Sequence, residues 1–125
     1  MNRILIAEDE TRIAAFIQKG LGKNGFSTVV APDGQQAIEM ALAEEFELLL
    51  LDLGLPVKDG WTVLTELRRQ QKKIPIIVVT AINDDRSRLE ALNLGATDYV
   101  AKPFIFSDLL AKVKLQVTSY KSQIL

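Results

Sequence analysis

The chain contains no cysteine and no histidine. The absence of thiols excludes a disulfide framework and thiolate chemistry. Without either residue type, the usual ligands of zinc and of other transition metals are missing as well. A metal bound by the side chains of this chain must therefore be a hard cation with oxygen ligands.

Long apolar runs and an excess of one charge are also lacking. The 125 residues carry 15 basic and 16 acidic side chains, for a net charge of -1, and no basic stripe indicates nucleic-acid binding. No stretch approaches the roughly 20 apolar residues of a membrane span, and the N-terminus lacks the features of a signal peptide. We expect one cytoplasmic domain that binds neither nucleic acid nor membrane.

Five short apolar runs alternate with segments of helical period. Strands are predicted near residues 4–7, 28–31, 48–51, 76–79 and 99–101. Four consecutive leucines at 48–51 are typical of a parallel strand buried on both faces. Alternating strands and helices with short connections predict an α/β fold, a doubly wound five-stranded parallel sheet of order 2-1-3-4-5.

The predicted helices differ in the strength of their apolar stripes. The first includes Phe16 in a stripe that should cover the sheet. The fourth, near 84–94, is the weakest, with a short stripe of Leu89 and Leu92 after a charged start, and is a candidate for a mobile element. The basic cluster that contains Arg68 is interpreted as a solvated helix end.

Polar side chains follow four of the five predicted strands. Glu8 and Asp9 follow the first strand, Asp52 the third, Thr80 the fourth and Lys102 the fifth. In the order 2-1-3-4-5, strands one and three are neighbours at the point where the chain reverses its winding. The three carboxylates should therefore converge in one crevice, flanked by the hydroxyl and the amine.

Three carboxylates in one crevice repel one another unless a cation joins them. A magnesium-type ion, held by one or two carboxylates and a phosphate oxygen, suits such a group. Lys102 and Thr80 suit a tetrahedral anion beside the ion. Asp52 is then placed to attack a phosphoryl donor and form an acyl phosphate.

Each of these side chains also has an ordinary structural interpretation. Asp52 can cap a turn, and the acids Glu8 and Asp9 can cap a helix. Thr80 is a good strand residue, and Lys102 can lie in a solvated turn. The conjunction of the complementary set at four strand ends favours the phosphoacceptor hypothesis over these separate explanations.

The motifs together resemble a known family. Glu8-Asp9, Asp-Leu-Gly-Leu-Pro from Asp52, Asp59-Gly60, Thr80-Ala81 and Lys102-Pro103-Phe104 resemble the receiver domain of two-component response regulators, a flavodoxin-like fold. The resemblance extends from Arg3 to about Thr118. We therefore expect a receiver domain over residues 1–119, with 120–125 as a C-terminal tail or the start of a linker.

The resemblance implies roles for the phosphoryl-binding residues. Asp52 would be phosphorylated by a sensor histidine kinase or a phosphotransfer protein, since this chain has no histidine of its own. Thr80, Lys102 and the Ala81 amide would contact the phosphoryl group. Tyr99 resembles the family's switch aromatic, which turns inward when Thr80 moves toward that group.

The resemblance also implies a metal site. Asp9, Asp52 and the Gly54 carbonyl would bind Mg2+ or Mn2+, and Glu8 would act mainly through water. The cofactor expected is therefore a divalent cation with oxygen ligands, which agrees with the missing cysteine and histidine.

The output expected from the resemblance is transcription, because the motifs look most like receivers joined to a winged-helix DNA-binding domain. Such receivers form homodimers through helix four, strand five and helix five, and Asp98, Asp108 and Lys112 fit the charge pairs used there. Glu90, Thr97 and Thr118-Ser119 depart from that pattern. A DNA-binding domain would lie outside this chain, which is either a fragment or a stand-alone receiver.

Three other functions remain as alternatives. A flavin-mononucleotide carrier needs a loop that cradles phosphate after the first strand, where Glu8, Asp9 and Glu10 would repel it. An aspartyl phosphatase commonly has a second acid two residues after its nucleophile, where Gly54 stands, so we do not expect an enzyme. A degenerate receiver, acting only as a protein-interaction module, disagrees with the intact set of site residues.

Overall fold

The computed structural model describes residues 2–124, and these form alternating strands and helices. Five strands make one parallel sheet in the order β2-β1-β3-β4-β5, so the predicted fold class and strand order are confirmed. The elements are β1 (Arg3–Ala7), α1 (Thr11–Lys23), β2 (Ser27–Ala31), α2 (Gly34–Ala43), β3 (Leu48–Leu51), α3 (Gly60–Arg69), β4 (Ile76–Thr80), α4 (Asp85–Asn93), β5 (Asp98–Ala101) and α5 (Phe106–Ile124).

The register of the strands brings their carboxyl ends to one edge of the sheet. Ala7, the last residue of β1, lies opposite Ala31 of β2 and Leu51 of β3. Thr80, the last residue of β4, lies opposite Ala101 of β5. The residues that follow these strands therefore emerge side by side, as the parallel order requires.

The sheet separates two apolar clusters, one on each face. Helices α1 and α5 cover one face, whereas α2, α3 and Ala91 of α4 belong to the cluster on the other. Leu48 and Leu50 of β3 belong to the first cluster, and Leu49 and Leu51 belong to the second. Strand β3 is thus buried on both faces, as its four leucines predict.

Two apolar side chains of the fourth helix do not form the predicted buried stripe. Leu89 is 61% exposed and Leu92 is 40% exposed, and Ala91 is the buried residue of α4. The helix turns its smallest apolar side chain toward the sheet, which lets its backbone approach β5, and the two leucines point outward. The short apolar stripe noted at Leu89 and Leu92 is therefore not the side of α4 that is buried, and the weakness predicted for this helix agrees with its single buried side chain.

Phe16 also departs from its predicted place. Its side chain is 54% exposed, while Ala14, Ile17 and Leu21 are the buried residues of α1. The Phe16 ring lies 5.8 Å from the Phe106 ring, edge on, between centroids. Phe16 therefore packs against the start of α5 at the surface and not against the sheet.

Arg68 is not a solvated helix end. Its side chain is partly buried, and Nε and Nη2 donate to the Gly95 carbonyl at 3.1 and 2.8 Å, while Nη1 donates to the Lys72 carbonyl at 2.6 Å. Gly95 has φ +114°, and a Cβ there would lie 2.9 Å from the Arg68 side chain. Arg68 therefore ties the end of α3 to the residues that follow α4.

The last helix continues across the predicted domain boundary. α5 runs to Ile124, and Lys121 in its last turns pairs with Glu47 at 3.3 Å. The boundary between 119 and 120 stays a prediction, and residue 125 of the predicted tail lies outside the described residues. In the described part of the chain, no helix has both the length and the apolar character needed to cross a membrane.

Candidate functional site

Glu8 and Asp9 leave the end of β1 in different environments. The Glu8 N–H donates to the Ala31 carbonyl at 3.1 Å, so the backbone still follows the strand at this residue. The Glu8 side chain is buried. Asp9 is exposed at the edge of the sheet. The Glu8 carboxylate also accepts a hydrogen bond from the Glu10 N–H at 3.2 Å, which holds the loop over it.

Asp52 lies directly after β3, in line with β1. Its N–H donates to the Ala7 carbonyl at 3.1 Å, which extends the pairing of the two strands by one residue. The carboxylate accepts a hydrogen bond from the Gly54 N–H at 3.1 Å. Only 8% of Asp52 is exposed, so the end of β3 leaves a small part of this acid accessible to solvent.

Lys102 joins the two buried carboxylates. Its N–H donates to the Thr80 carbonyl at 2.8 Å, which places the residue just past β5. Its Nζ lies 2.6 Å from Glu8 Oε1 and 2.9 Å from Asp52 Oδ2. Glu10 Oε2 is more distant, at 3.6 Å. The predicted convergence of the amine with Glu8 and Asp52 is therefore present in the structure.

The three charges alter one another's pKa values. Burial raises the pKa of Glu8 above its ordinary value, even though the Lys102 hydrogen bond opposes the change. Burial would also raise the pKa of Asp52, but hydrogen bonds from Lys102 and Gly54 outweigh it and the pKa is lowered. Burial opposes the charge of Lys102, yet its hydrogen bonds to Glu8 and Asp52 raise its pKa. Asp52 is thus an anion at neutral pH, the form a nucleophile needs.

The acidic residues fit a hard cation. Glu8, Asp9 and Asp52 each offer a carboxylate oxygen, and the three oxygens lie within 4.8 Å of one another. Carboxylate oxygens at the solvent edge are the donors that Mg2+ and Mn2+ accept, with water completing the shell. The donor set therefore matches the predicted oxygen-ligated metal, and the cluster forms an acidic pocket beside Lys102.

The fourth and fifth strands place the other predicted residues beside this pocket. Thr80 is buried, and its hydroxyl accepts a hydrogen bond from the Ile82 N–H at 3.4 Å; Ala81 is exposed next to it. Tyr99 is buried with its ring inward, and its hydroxyl donates to the Ile82 carbonyl. The Arg88 guanidinium lies 5.6 Å from the centre of the Tyr99 ring.

Sequence reasoning missed two of these contacts. The partner of Tyr99 is a backbone carbonyl, which has no residue-type signal. Arg88 stands one turn before Leu92 on α4, and only the orientation of that helix brings it over Tyr99. The face of α4 that packs against the sheet would have indicated the contact between Arg88 and Tyr99. The apolar pattern of the helix indicates a different face.

The comparison with known families decides where this arrangement belongs. The family model described as the response regulator receiver domain matches residues 4–114. The chain belongs to this family. The match includes all of the predicted site residues, from the acids after β1 to Lys102 of the receiver domain.

Several curated relatives resemble this receiver domain over most of its length. It is 45% identical over 112 residues to the transcriptional activator protein IrlR of Burkholderia pseudomallei, which covers 90% of this chain and 48% of the relative. It is 38% identical over 112 residues to the transcriptional regulatory protein CusR of Escherichia coli, covering 90% and 49%. The chain spans about half the length of the curated relatives it matches.

Solved receiver structures have the same fold. The response regulator protein TrrA from Thermotoga maritima, in complex with Mg2+-BeF, is 33% identical, with a TM-score of 0.84 over 93% of this chain and 99% of the other. The predicted resemblance to response regulator receivers is confirmed by the comparisons of sequence and of structure.

Proposed function

We propose that this receiver domain is a phosphorylation-dependent switch in which Asp52 accepts a phosphoryl group from a sensor histidine kinase or a phosphotransfer protein. The observation that carries the proposal is the position of Asp52: its carboxylate lies 2.9 Å from the Lys102 ammonium, and it belongs to an oxygen-only cluster with Glu8 and Asp9. We also propose a cytoplasmic location for the domain, which agrees with phosphorylation by a donor of this kind.

The transfer is an in-line displacement at phosphorus. An Asp52 carboxylate oxygen forms the new bond to phosphorus as the bond between phosphorus and the donor's imidazole nitrogen breaks, and that nitrogen keeps the electron pair. Lys102, which pairs with Asp52 in the free domain, then pairs with a phosphoryl oxygen. The Thr80 hydroxyl and the Ala81 N–H donate to the other oxygens.

A divalent cation belongs to the same site. We propose that Asp9, Asp52 and the Gly54 carbonyl hold Mg2+ or Mn2+, while Glu8, whose Oε1 lies 2.6 Å from Lys102, acts through water. When bound, the ion offsets negative charge on the oxygens of the transferring group. The Lys102 ammonium keeps the two buried carboxylates compensated until then.

The site suits retention of the phosphoryl group better than turnover. Gly54, two residues after Asp52, offers no side chain that could act as a general acid or base. We therefore propose a signalling domain and not an enzyme, since no residue at that position assists hydrolysis of the acyl phosphate.

Phosphorylation would be recognised through a change in the surface formed by α4, β5 and α5. Movement of Thr80 toward the phosphoryl group would change the loop at Ala81 and Ile82, whose carbonyl accepts from Tyr99, and so shift α4. We propose that this surface controls transcription through a domain outside this chain, by forming a homodimer.

A stand-alone receiver that acts through protein contacts is the second candidate. It is supported by the ion pair between Asp98 and Lys112, at 3.0 Å within one chain, because these are two of the charges that the homodimer would use. In a dimer this pair would have to exchange partners, whereas contact with another protein requires no such exchange.

Intact-mass spectrometry after incubation with acetyl phosphate tests the phosphoacceptor role. We expect a gain of one phosphoryl group that requires Mg2+ and is lost in Asp52→Asn. Asp59→Asn is the matched control, since Asn also caps helices and Asp59 caps α3; it should be phosphorylated normally. If neither acetyl phosphate nor a histidine-kinase donor modifies the unsubstituted chain, or if Asp52→Asn is still modified, the proposal is wrong.

A further inference from the structure

Val57, in the loop between β3 and α3, has an unusual backbone conformation. Its φ is +68°, a region that β-branched residues rarely adopt because Cβ crowds the backbone. Its side chain is 77% exposed, so burial of the side chain offers little compensation. The surrounding backbone must therefore hold Val57 in this conformation.

Two hydrogen bonds to the same carbonyl hold the turn. The Lys58 N–H donates to the Pro56 carbonyl at 2.8 Å, which closes a three-residue turn with Val57 at its centre, the rare and strained γ-turn of positive φ. The Gly34 N–H, at the start of α2, donates to the same carbonyl at 3.2 Å. The turn is thus attached to a helix that is distant in sequence.

Gly34 allows this attachment because it has no side chain. A Cβ on Gly34 would lie 1.7 Å from the Lys58 carbonyl oxygen and 2.6 Å from its carbon. Both are backbone atoms that cannot rotate away, so any other residue must push the turn off α2. The structure requires glycine here for close approach, since Gly34 is not a position of positive φ.

The braced turn lies in the loop that carries the metal-binding backbone. Gly54 donates to the Asp52 carboxylate at 3.1 Å, and Gly60 donates to the Leu53 carbonyl at 2.9 Å. These bonds fix the two ends of the segment from 52 to 60. Its middle, which includes Pro56 and Val57, is held by Gly34.

We propose that the contact between Gly34 and the Val57 turn is a brace that positions the Gly54 carbonyl for the divalent cation. This inference rests on the proposed metal site at Asp9, Asp52 and Gly54. Gly34 and Val57 are positioning residues: neither is one of the proposed ligands, and they would act through the course of the loop. Mg2+ is sensitive to such displacement because it demands a nearly ideal octahedral arrangement of its ligands.

Gly34→Ala tests the brace from the side of α2. We expect the affinity for Mn2+, measured by electron paramagnetic resonance of the free ion, to fall about tenfold, as for residues that orient metal ligands. Gly22→Ala is the matched control, because it is also a helical glycine and a Cβ there meets nothing within 4 Å. Its Mn2+ affinity should equal that of the unsubstituted chain.

A pair of substitutions at Val57 tests the brace from the side of the loop. Val57→Pro fixes φ near -65° and abolishes the turn, so it should weaken Mn2+ binding about as much as Gly34→Ala does. Val57→Gly accepts positive φ and retains the turn, so it should bind Mn2+ normally. Melting temperatures, recorded in parallel, separate a change of fold from a change of affinity.

The outcomes distinguish the brace from the metal site on which it rests. If the unsubstituted chain does not bind Mn2+, the proposed metal site is wrong and the brace with it. If that chain binds Mn2+ and the folded Val57→Pro variant binds it equally well, the brace alone is wrong. Equal losses in Val57→Gly and Val57→Pro would also overturn it, because the side chain would then matter and not the turn.

Discussion

Helices α3 and α4 have nearly the same length, ten and nine residues, and both begin with an aspartate cap. They differ in the side chains that they bury against the rest of the domain. α3 buries Val63, Leu64 and Leu67 as well as Gly60, whereas α4 buries Ala91. The helix that follows Asp52 is therefore fixed by its side chains, and the helix that follows Thr80 is held mainly at its ends.

The difference in burial between α3 and α4 corresponds to a difference in free energy. A fully buried valine or leucine side chain contributes about 1.5–3 kcal/mol relative to an exposed one, and a single methyl group contributes about 0.8 kcal/mol. Three such side chains resist separation of α3 from the sheet, while one methyl group resists that of α4. Local opening should therefore be much easier for α4, which is the property a responsive element needs.

The largest expected effect comes from truncating one leucine in each helix. Leu64 is fully buried, so Leu64→Ala should lower the free energy of unfolding by about 3 kcal/mol through lost burial and a cavity. Leu89 is 61% exposed, and Leu89→Ala should change it by less than about 0.5 kcal/mol. Urea denaturation measures both. Equal losses would mean that α4 is anchored as firmly as α3.

A smaller effect is expected where the two helices are connected. Arg68 donates to the Gly95 carbonyl with two nitrogens, and lysine cannot reproduce this forked geometry. Arg68→Lys should lower the free energy of unfolding by about 1–2 kcal/mol and speed amide hydrogen exchange at the end of α4. Arg69→Lys, at an exposed neighbour, is the control and should do neither; unchanged exchange in Arg68→Lys would show that α4 has another anchor.

The smallest effect is expected from the caps, and it should differ between the helices. The Asp59 and Asp84 side chains each accept from the backbone N–H three residues on, both at 2.8 Å. Asp84→Ala should speed exchange throughout α4, because little else holds it. Asp59→Ala should affect only the first turn of α3, where buried leucines maintain the rest. Similar spreading of fast exchange in both variants would contradict the comparison.

Protonation of Asp84 at low pH should weaken the cap of α4, as the Asp84→Ala substitution does. Hydrogen bonds from the Ser87 N–H and hydroxyl lower the pKa of Asp84. A carboxyl group with a lowered folded-state pKa stabilises the fold above its unfolded-state pKa, and this contribution disappears as the pH falls through the folded-state value. Carboxyl NMR titration should give a pKa below the ordinary value, and Ser87→Ala should raise it.

The sequence was sufficient for the fold and for the place of the candidate site. Apolar runs that end in a polar residue define both a buried strand and its last position, so Glu8, Asp52, Thr80 and Lys102 could be assigned to one sheet edge. The parallel order then brings them together without knowledge of any side-chain contact. The assignment succeeds because the strands are short and because their carboxyl ends all lie at the same edge of the sheet.

The remaining features depend on packing that the residue types do not reveal. Leu89 and Leu92 have a helical spacing, but the sequence does not say which face of α4 meets the sheet. Arg68 looks like its exposed neighbours until the Gly95 carbonyl is placed beside it. Val57 gives no local sign of positive φ, since glycine or asparagine would be the usual signal.

Strand β3 limits which substitutions the domain can accept. Its four leucines face two separate apolar clusters in alternation, so a change at any of them disturbs one cluster directly and moves Asp52 relative to the other. In a random library selected only for folding, positions 48–51 should be depleted of variants, while the exposed positions of α4 and α1 vary freely. New partner specificity can therefore be selected on helix surfaces while the strand that leads to Asp52 stays the same.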